Sequence, residues 1–121
     1  MSGVGTWLAV AVAGAIGSVA RFGLHETVAR RLGQRYAVGT LLVNLSGAFA
    51  LGLLVGAALT GDTYRIFGTA LLGAYTTFST WMLETERLAG RGLWAAAVAN
   101  VVVSVVAGVA AVALGRHLGA L

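Results

Sequence analysis

Charged side chains are missing from four long stretches of the chain, residues 1–20, 36–61, 66–83 and 92–115, and Ala, Val, Leu and Gly fill most of them. At about 1.5 Å of rise per residue, a helix over 36–61 would reach roughly 39 Å and one over 66–83 roughly 27 Å, against a hydrocarbon core of about 30 Å. The pattern predicts four membrane-crossing helices over about residues 4–28, 36–60, 64–88 and 93–116, together filling a single domain of residues 1–121. A basic connector (Arg30, Arg31, Leu32, Gly33, Gln34, Arg35) joins the first pair, a tight turn at Gly61, Asp62 and Thr63 the second, and a short link over 89–92 the third. The expected fold class is an all-α membrane protein.

Polar residues inside these apolar runs mark where a helix does something other than face lipid. In the second run Thr40 and Asn44 lie four apart, hence on one face, with Gly47 and Ala48 one turn further along. Asn44 fits either a structural hydrogen bond to a neighbouring helix or a donor lining a pore. The fourth run repeats the spacing with Asn100, Ser104 and Gly108 in an otherwise valine-rich helix. Taken singly, Ser104 would bond back to the carbonyl one turn earlier. The third run is the unusual one: between Gly73 and Trp81 it places Thr76, Thr77, Ser79 and Thr80, near the middle of the expected span. Gly and Thr are poor helix formers, so a break is expected there. Backbone groups freed at that depth must be satisfied by protein, an ion or trapped water, and broken spans commonly mark ion or substrate sites.

Composition removes most other function classes. Apolar side chains make up 59% of the chain and charged ones 10%, with a mean hydropathy of +0.90. Soluble domains carry about 25% charged residues, so the solvent here is lipid. With no Cys, and with His25 and His117 far apart, disulfide, thiolate and zinc chemistry drop out, and no nucleophile–base pair points to an enzyme. The net charge of +4 comes from scattered arginines, which form no basic face for nucleic acid. Arg30, Arg31, Arg35, Arg87 and Arg91 fall on one side of the membrane against Arg65 and Arg116 on the other, which favours both termini outside. Eighteen glycines, including Gly52 and Gly56 at small-xxx-small spacing, predict close helix packing. Four narrow helices leave little room for an internal path, so any transport calls for at least a dimer. Hydroxyl and amide donors, the positive edges of Phe78 and Trp81, and the lack of a mid-membrane carboxylate suit a small anion.

Three stretches carry a resemblance to the Fluc (CrcB) family of small fluoride channels. Residues 39–52, GTLLVNLSGAFALG, are similar to that family's GTLxVNxxGxFxxG signature; Gly73 to Trp81 resembles its GGxTTFSTF; and Ala13 to Phe22 resembles its GGxxGAxxRY. Departures are Ala74 for Gly, Trp81 for Phe, Ala13 for Gly, Ser18 for Ala and Phe22 for Tyr. The resemblance implies four helices per subunit with the third broken mid-membrane, an antiparallel, dual-topology homodimer in the inner (plasma) membrane, and passive fluoride export that relieves fluoride toxicity. It implies a structural, non-transported sodium ion held by the backbone carbonyls of Gly73 and Thr76 from both subunits. It places Asn44, Phe78 and Ser104 on the fluoride path, with Trp81 at the second aromatic position, and Arg21 where it would draw anions to a vestibule or simply snorkel to the interface; the hydroxyls of Thr40, Thr77 and Ser79 are further candidates for that path. Trp81 brings an N–H donor where the family pattern has a plain phenyl edge. The alternatives are a small multidrug-type transporter, which needs a titratable carboxylate in the membrane, and a non-transporting scaffold subunit. Fluoride, lipid and a second copy of the chain are the expected partners, and nucleic acid is not among them.

Overall fold

The computed structural model describes residues 3–32 and 38–121, and no strand occurs among them. Helix α1 (Gly3–Leu32) and helix α2 (Val38–Gly56) are followed by a helical run made of α3 (Gly61–Tyr64), a π-helical stretch (Arg65–Leu72) and α4 (Gly73–Tyr75). After an interruption come α5 (Ser79–Gly90) and α6 (Trp94–Gly119). Among the described residues α1, α2 and α6 are long and apolar enough to cross a membrane. The end of the basic connector, with Arg35, and the expected start of the second span at Tyr36 lie outside the described residues.

The second turn differs from the expectation. The chain reverses at 57–60, and Gly61, Asp62 and Thr63 form the first turn of α3. The reason lies in how α2 ends. Ala58 adopts a left-handed φ of 59°, its amide donates to the Val55 carbonyl at 3.0 Å, and the Leu59 amide donates to the Leu54 carbonyl at 3.1 Å. This is a Schellman closure, with Ala at the position that usually takes Gly.

Glycine decides how α2 meets α6. A methyl at Gly52 would strike the Val112 carbonyl, and one at Gly56 the Arg116 carbonyl; reciprocally, Gly115 faces the Phe49 carbonyl and Gly119 the Leu53 carbonyl. The Gly52–Gly56 pair therefore works as its spacing predicts, and Gly115 with Gly119 completes the seam from the other side. Lipid tails offer no hydrophobic drive between helices, so backbone-to-backbone contact supplies the packing energy. Gly115→Ala should cost about 1–3 kcal/mol, because its Cβ would meet backbone that cannot rotate away. A lowered thermal midpoint in detergent would show it; an unchanged one would mean the seam is slack.

Around this seam, α1 lies against the π-helical stretch, with Gly17 facing the Leu71 carbonyl. The fully buried side chains are Thr40 and Val43, joined in the core by Ala13, Val28, Leu88 and Ala97. Large apolar side chains such as Trp7, Val19, Val106 and Val109 stand exposed, as the outer surface of a lipid-solvated bundle requires.

Candidate functional site

Helical geometry stops at Tyr75 and resumes at Ser79, with Thr76 extended at φ −81° and ψ 160°. The approach is already loosened: the Gly73 amide reaches back five residues to the Gly68 carbonyl. Wide turns of this kind are uncommon and concentrate at functional sites.

The backbone groups freed at the interruption are met mainly by side chains. Asn44 Nδ2 donates to the Thr77 carbonyl at 2.9 Å, and the Thr77 amide donates to Asn44 Oδ1 at 2.8 Å. One carboxamide on α2 thus pairs with both backbone polar groups of a single residue, Thr77. The Thr80 amide donates to Thr77 Oγ1 at 3.2 Å, and that hydroxyl donates to Thr80 Oγ1 at 3.1 Å. The Thr76 amide and hydroxyl both turn back to the Leu72 carbonyl, at 3.0 and 3.1 Å. Tyr75 is tied down too: its hydroxyl lies 2.8 Å from Ser46 Oγ, which bonds the Val43 carbonyl at 3.0 Å.

These bonds have a consequence for two carbonyls. In a continuous helix the Thr77 amide would serve the Gly73 carbonyl, and the Thr80 amide the Thr76 carbonyl. Both amides are committed elsewhere. The Gly73 and Thr76 oxygens, the two that the family resemblance implies for a cation, are therefore the ones relieved of their helical donors. Backbone carbonyls in that condition suit a hard cation.

An open groove of about 1180 Å³ runs past the interruption, lined by Asn44, Gly73, Thr76, Thr77, Phe78, Trp81 and Ser104, and by Arg116 and His117 toward one end. No carboxylate lines it among the described residues. The Ser104 hydroxyl makes no hydrogen bond to a described residue, so the back-bond expected of an isolated membrane serine is not what it makes. Phe78 and Trp81 meet edge to face, with centroids 5.7 Å apart and planes at 84°. The indole N–H is spent on the Asn100 carbonyl at 3.3 Å, and Asn100 Nδ2 donates to Thr85 Oγ1 at 2.8 Å. Within the α6 stripe, Ser104 is thus the polar side chain left facing the groove.

Three of the expected path residues stand apart from that groove. Thr40 is buried on the same face of α2 as Asn44, but its hydroxyl donates to Glu84. Ser79 is exposed at the start of α5, and Arg21 is half-buried on α1; neither lines the groove. The Ser46–Tyr75 and Asn100–Thr85 pairings escape face-by-face reading, because each joins helices whose relative placement no single-helix periodicity encodes. Trp81 and Thr85, four apart on α5, were the available hint of the second.

A family model described as "CrcB-like protein, Camphor Resistance (CrcB)" matches residues 8–116. The chain is 52% identical over 121 residues, 100% of its own length and 99% of the relative's, to a Mycolicibacterium paratuberculosis protein named "Fluoride-specific ion channel FluC 2". A Mycobacterium tuberculosis protein of the same name is 51% identical over 95% of this chain and 91% of its own. A Rhodospirillum rubrum protein named "Fluoride-specific ion channel FluC" is 44% identical over 95% of this chain and 94% of its own.

Proposed function

Because the chain belongs to the CrcB-like family, whose model covers residues 8–116, we propose that it is a multi-pass membrane channel specific for fluoride, which it lets leave the cell down its electrochemical gradient. It is not an enzyme. Neither the multidrug exchanger nor the silent scaffold is favoured: its near relatives are named as fluoride channels. The observation that carries the reading is the groove itself, where hydrogen-bond donors and aromatic edges converge, Arg116 stands toward one end, and no described residue contributes a carboxylate.

Fluoride holds its water tightly, so entry requires short, strong hydrogen bonds in exchange. The second Nδ2 hydrogen of Asn44 remains after the first is given to Thr77, and the Ser104 hydroxyl is free of described partners. The rim of Phe78, 70% exposed, adds a weakly positive edge. Larger halides fit such a narrow set of donors poorly.

The run from Gly61 to Gly90 reads as the third of four crossings, interrupted near its middle. A lone chain would leave Asn44, Thr77 and Ser104 opening onto lipid, and this favours closure of the groove by a second copy, inserted antiparallel. The residues fit sodium: two such chains would offer four freed carbonyls, Gly73 and Thr76 from each. When bound there, sodium would supply a fixed positive charge that lowers the cost of an anion nearby. The inner (plasma) membrane is the proposed location.

The test is fluoride efflux from liposomes holding only the purified protein, repeated with chloride. Rapid fluoride loss with chloride retained is expected. Equal loss of both would sink the selectivity, and retention of both would sink the channel.

A further inference from the structure

Resting on the channel reading, we propose that Trp81, Asn100 and Thr85 form a closed hydrogen-bonded circuit that fixes the Trp81 ring and, through it, the orientation of Phe78 in the groove. The circuit starts and ends on one residue. Trp81 Nε1 donates to the Asn100 carbonyl at 3.3 Å, Asn100 Nδ2 donates to Thr85 Oγ1 at 2.8 Å, and Thr85 Oγ1 donates to the Trp81 carbonyl at 2.8 Å. The single Thr85 proton and its lone pairs account for both of its bonds.

The indole is therefore held at both ends, by its backbone on α5 and by its N–H on α6. Trp7 and Trp94, at 75% and 66% exposed, sit at the lipid-facing surface, whereas Trp81 is half-buried between two helices. Phe78 has no comparable hold. It is 70% exposed, and its ring partner is Trp81, at 84° between planes. A ring with a polarised edge presents different charge to an anion according to its tilt, so the tilt of Trp81 sets what Phe78 offers the groove. The N–H that a phenyl lacks thus acts on α6, not on the anion: Trp81, Asn100 and Thr85 are positioning residues.

Loss of the indole N–H leaves no orphaned acceptor, because the Asn100 carbonyl lies inside the unbroken α6 and keeps its helical donor. The test replaces Trp81 with 3-benzothienylalanine, which keeps the ring shape and puts sulfur where the N–H was. Thr85→Val is the second variant, since it opens the circuit without touching the groove. Two readouts are taken: fluoride efflux from liposomes, and the fluorine resonance of 4-fluorophenylalanine installed at position 78. Both variants should slow efflux about fivefold, the factor a single net hydrogen bond commands, and should broaden or split a resonance that is single and narrow in the parent. Parent-like efflux with a parent-like resonance would overturn the proposal. Slowed efflux with an unchanged resonance would also overturn it, because the indole would then be acting on the anion directly. If the parent passes no fluoride, the channel reading fails, and the resonance alone still decides whether the circuit orients Phe78.

Discussion

Replacing Asn44 by Asp should reduce fluoride efflux by at least a hundredfold while the protein still folds and reconstitutes. Two effects act together. The aspartate keeps an oxygen for the Thr77 amide, but it cannot donate to the Thr77 carbonyl 2.9 Å from the present Nδ2, so oxygen would face oxygen. The carboxylate would also place a full negative charge on the groove wall, where among the described residues none now stands. At an effective dielectric near 20, two like charges about 4 Å apart repel by about 4 kcal/mol, close to a thousandfold in occupancy. Protonation of the new acid would soften this, hence the lower bound. Asn44→Ser separates the effects, since it removes both bonds to Thr77 without adding charge. If Asn44→Asp conducts like the parent, Asn44 is a splint for the interruption and no part of the path.

That dual position of Asn44 shows what the chain alone could and could not disclose. Its depth in an apolar run marked it as either a structural donor or a pore donor, and the geometry accommodates both: Oδ1 and one Nδ2 hydrogen serve Thr77, and the other hydrogen is left over. The helical character of α1, α2 and α6 was legible because lipid imposes one rule on every residue of a span. The weak helix formers of 73–81 lie where helical geometry stops at Tyr75 and resumes at Ser79. Thr40 stands apart from the groove for a physical reason. Its spacing from Asn44 correctly put both on one face of α2, but periodicity along one helix does not reveal that Glu84 of another covers the Thr40 end. Gly115 and Gly119 share the spacing of Gly52 and Gly56, but only the pairing of α2 with α6 shows the four to be one seam.

Exchange of sodium for N-methylglucamine should suppress efflux more than tenfold, and Thr77→Val should raise the sodium concentration needed for half-maximal efflux about tenfold. The second expectation follows from which donor is diverted. Thr77 Oγ1 draws the Thr80 amide to itself at 3.2 Å and so leaves the Thr76 carbonyl without that donor. Valine keeps the branched shape but removes the oxygen, which frees the Thr80 amide for the Thr76 carbonyl, its acceptor in a continuous helix. A carbonyl already accepting a hydrogen bond is a poorer ligand for a hard cation, while the Gly73 carbonyl stays free because Asn44 still holds the Thr77 amide. Thr77→Ser restores the oxygen and should restore the parent's sodium dependence. A deficit in Thr77→Val that saturating sodium does not relieve would assign the hydroxyl to the fluoride path instead. Efflux indifferent to sodium in the parent as well would remove the cation from the account and leave the two freed carbonyls to water.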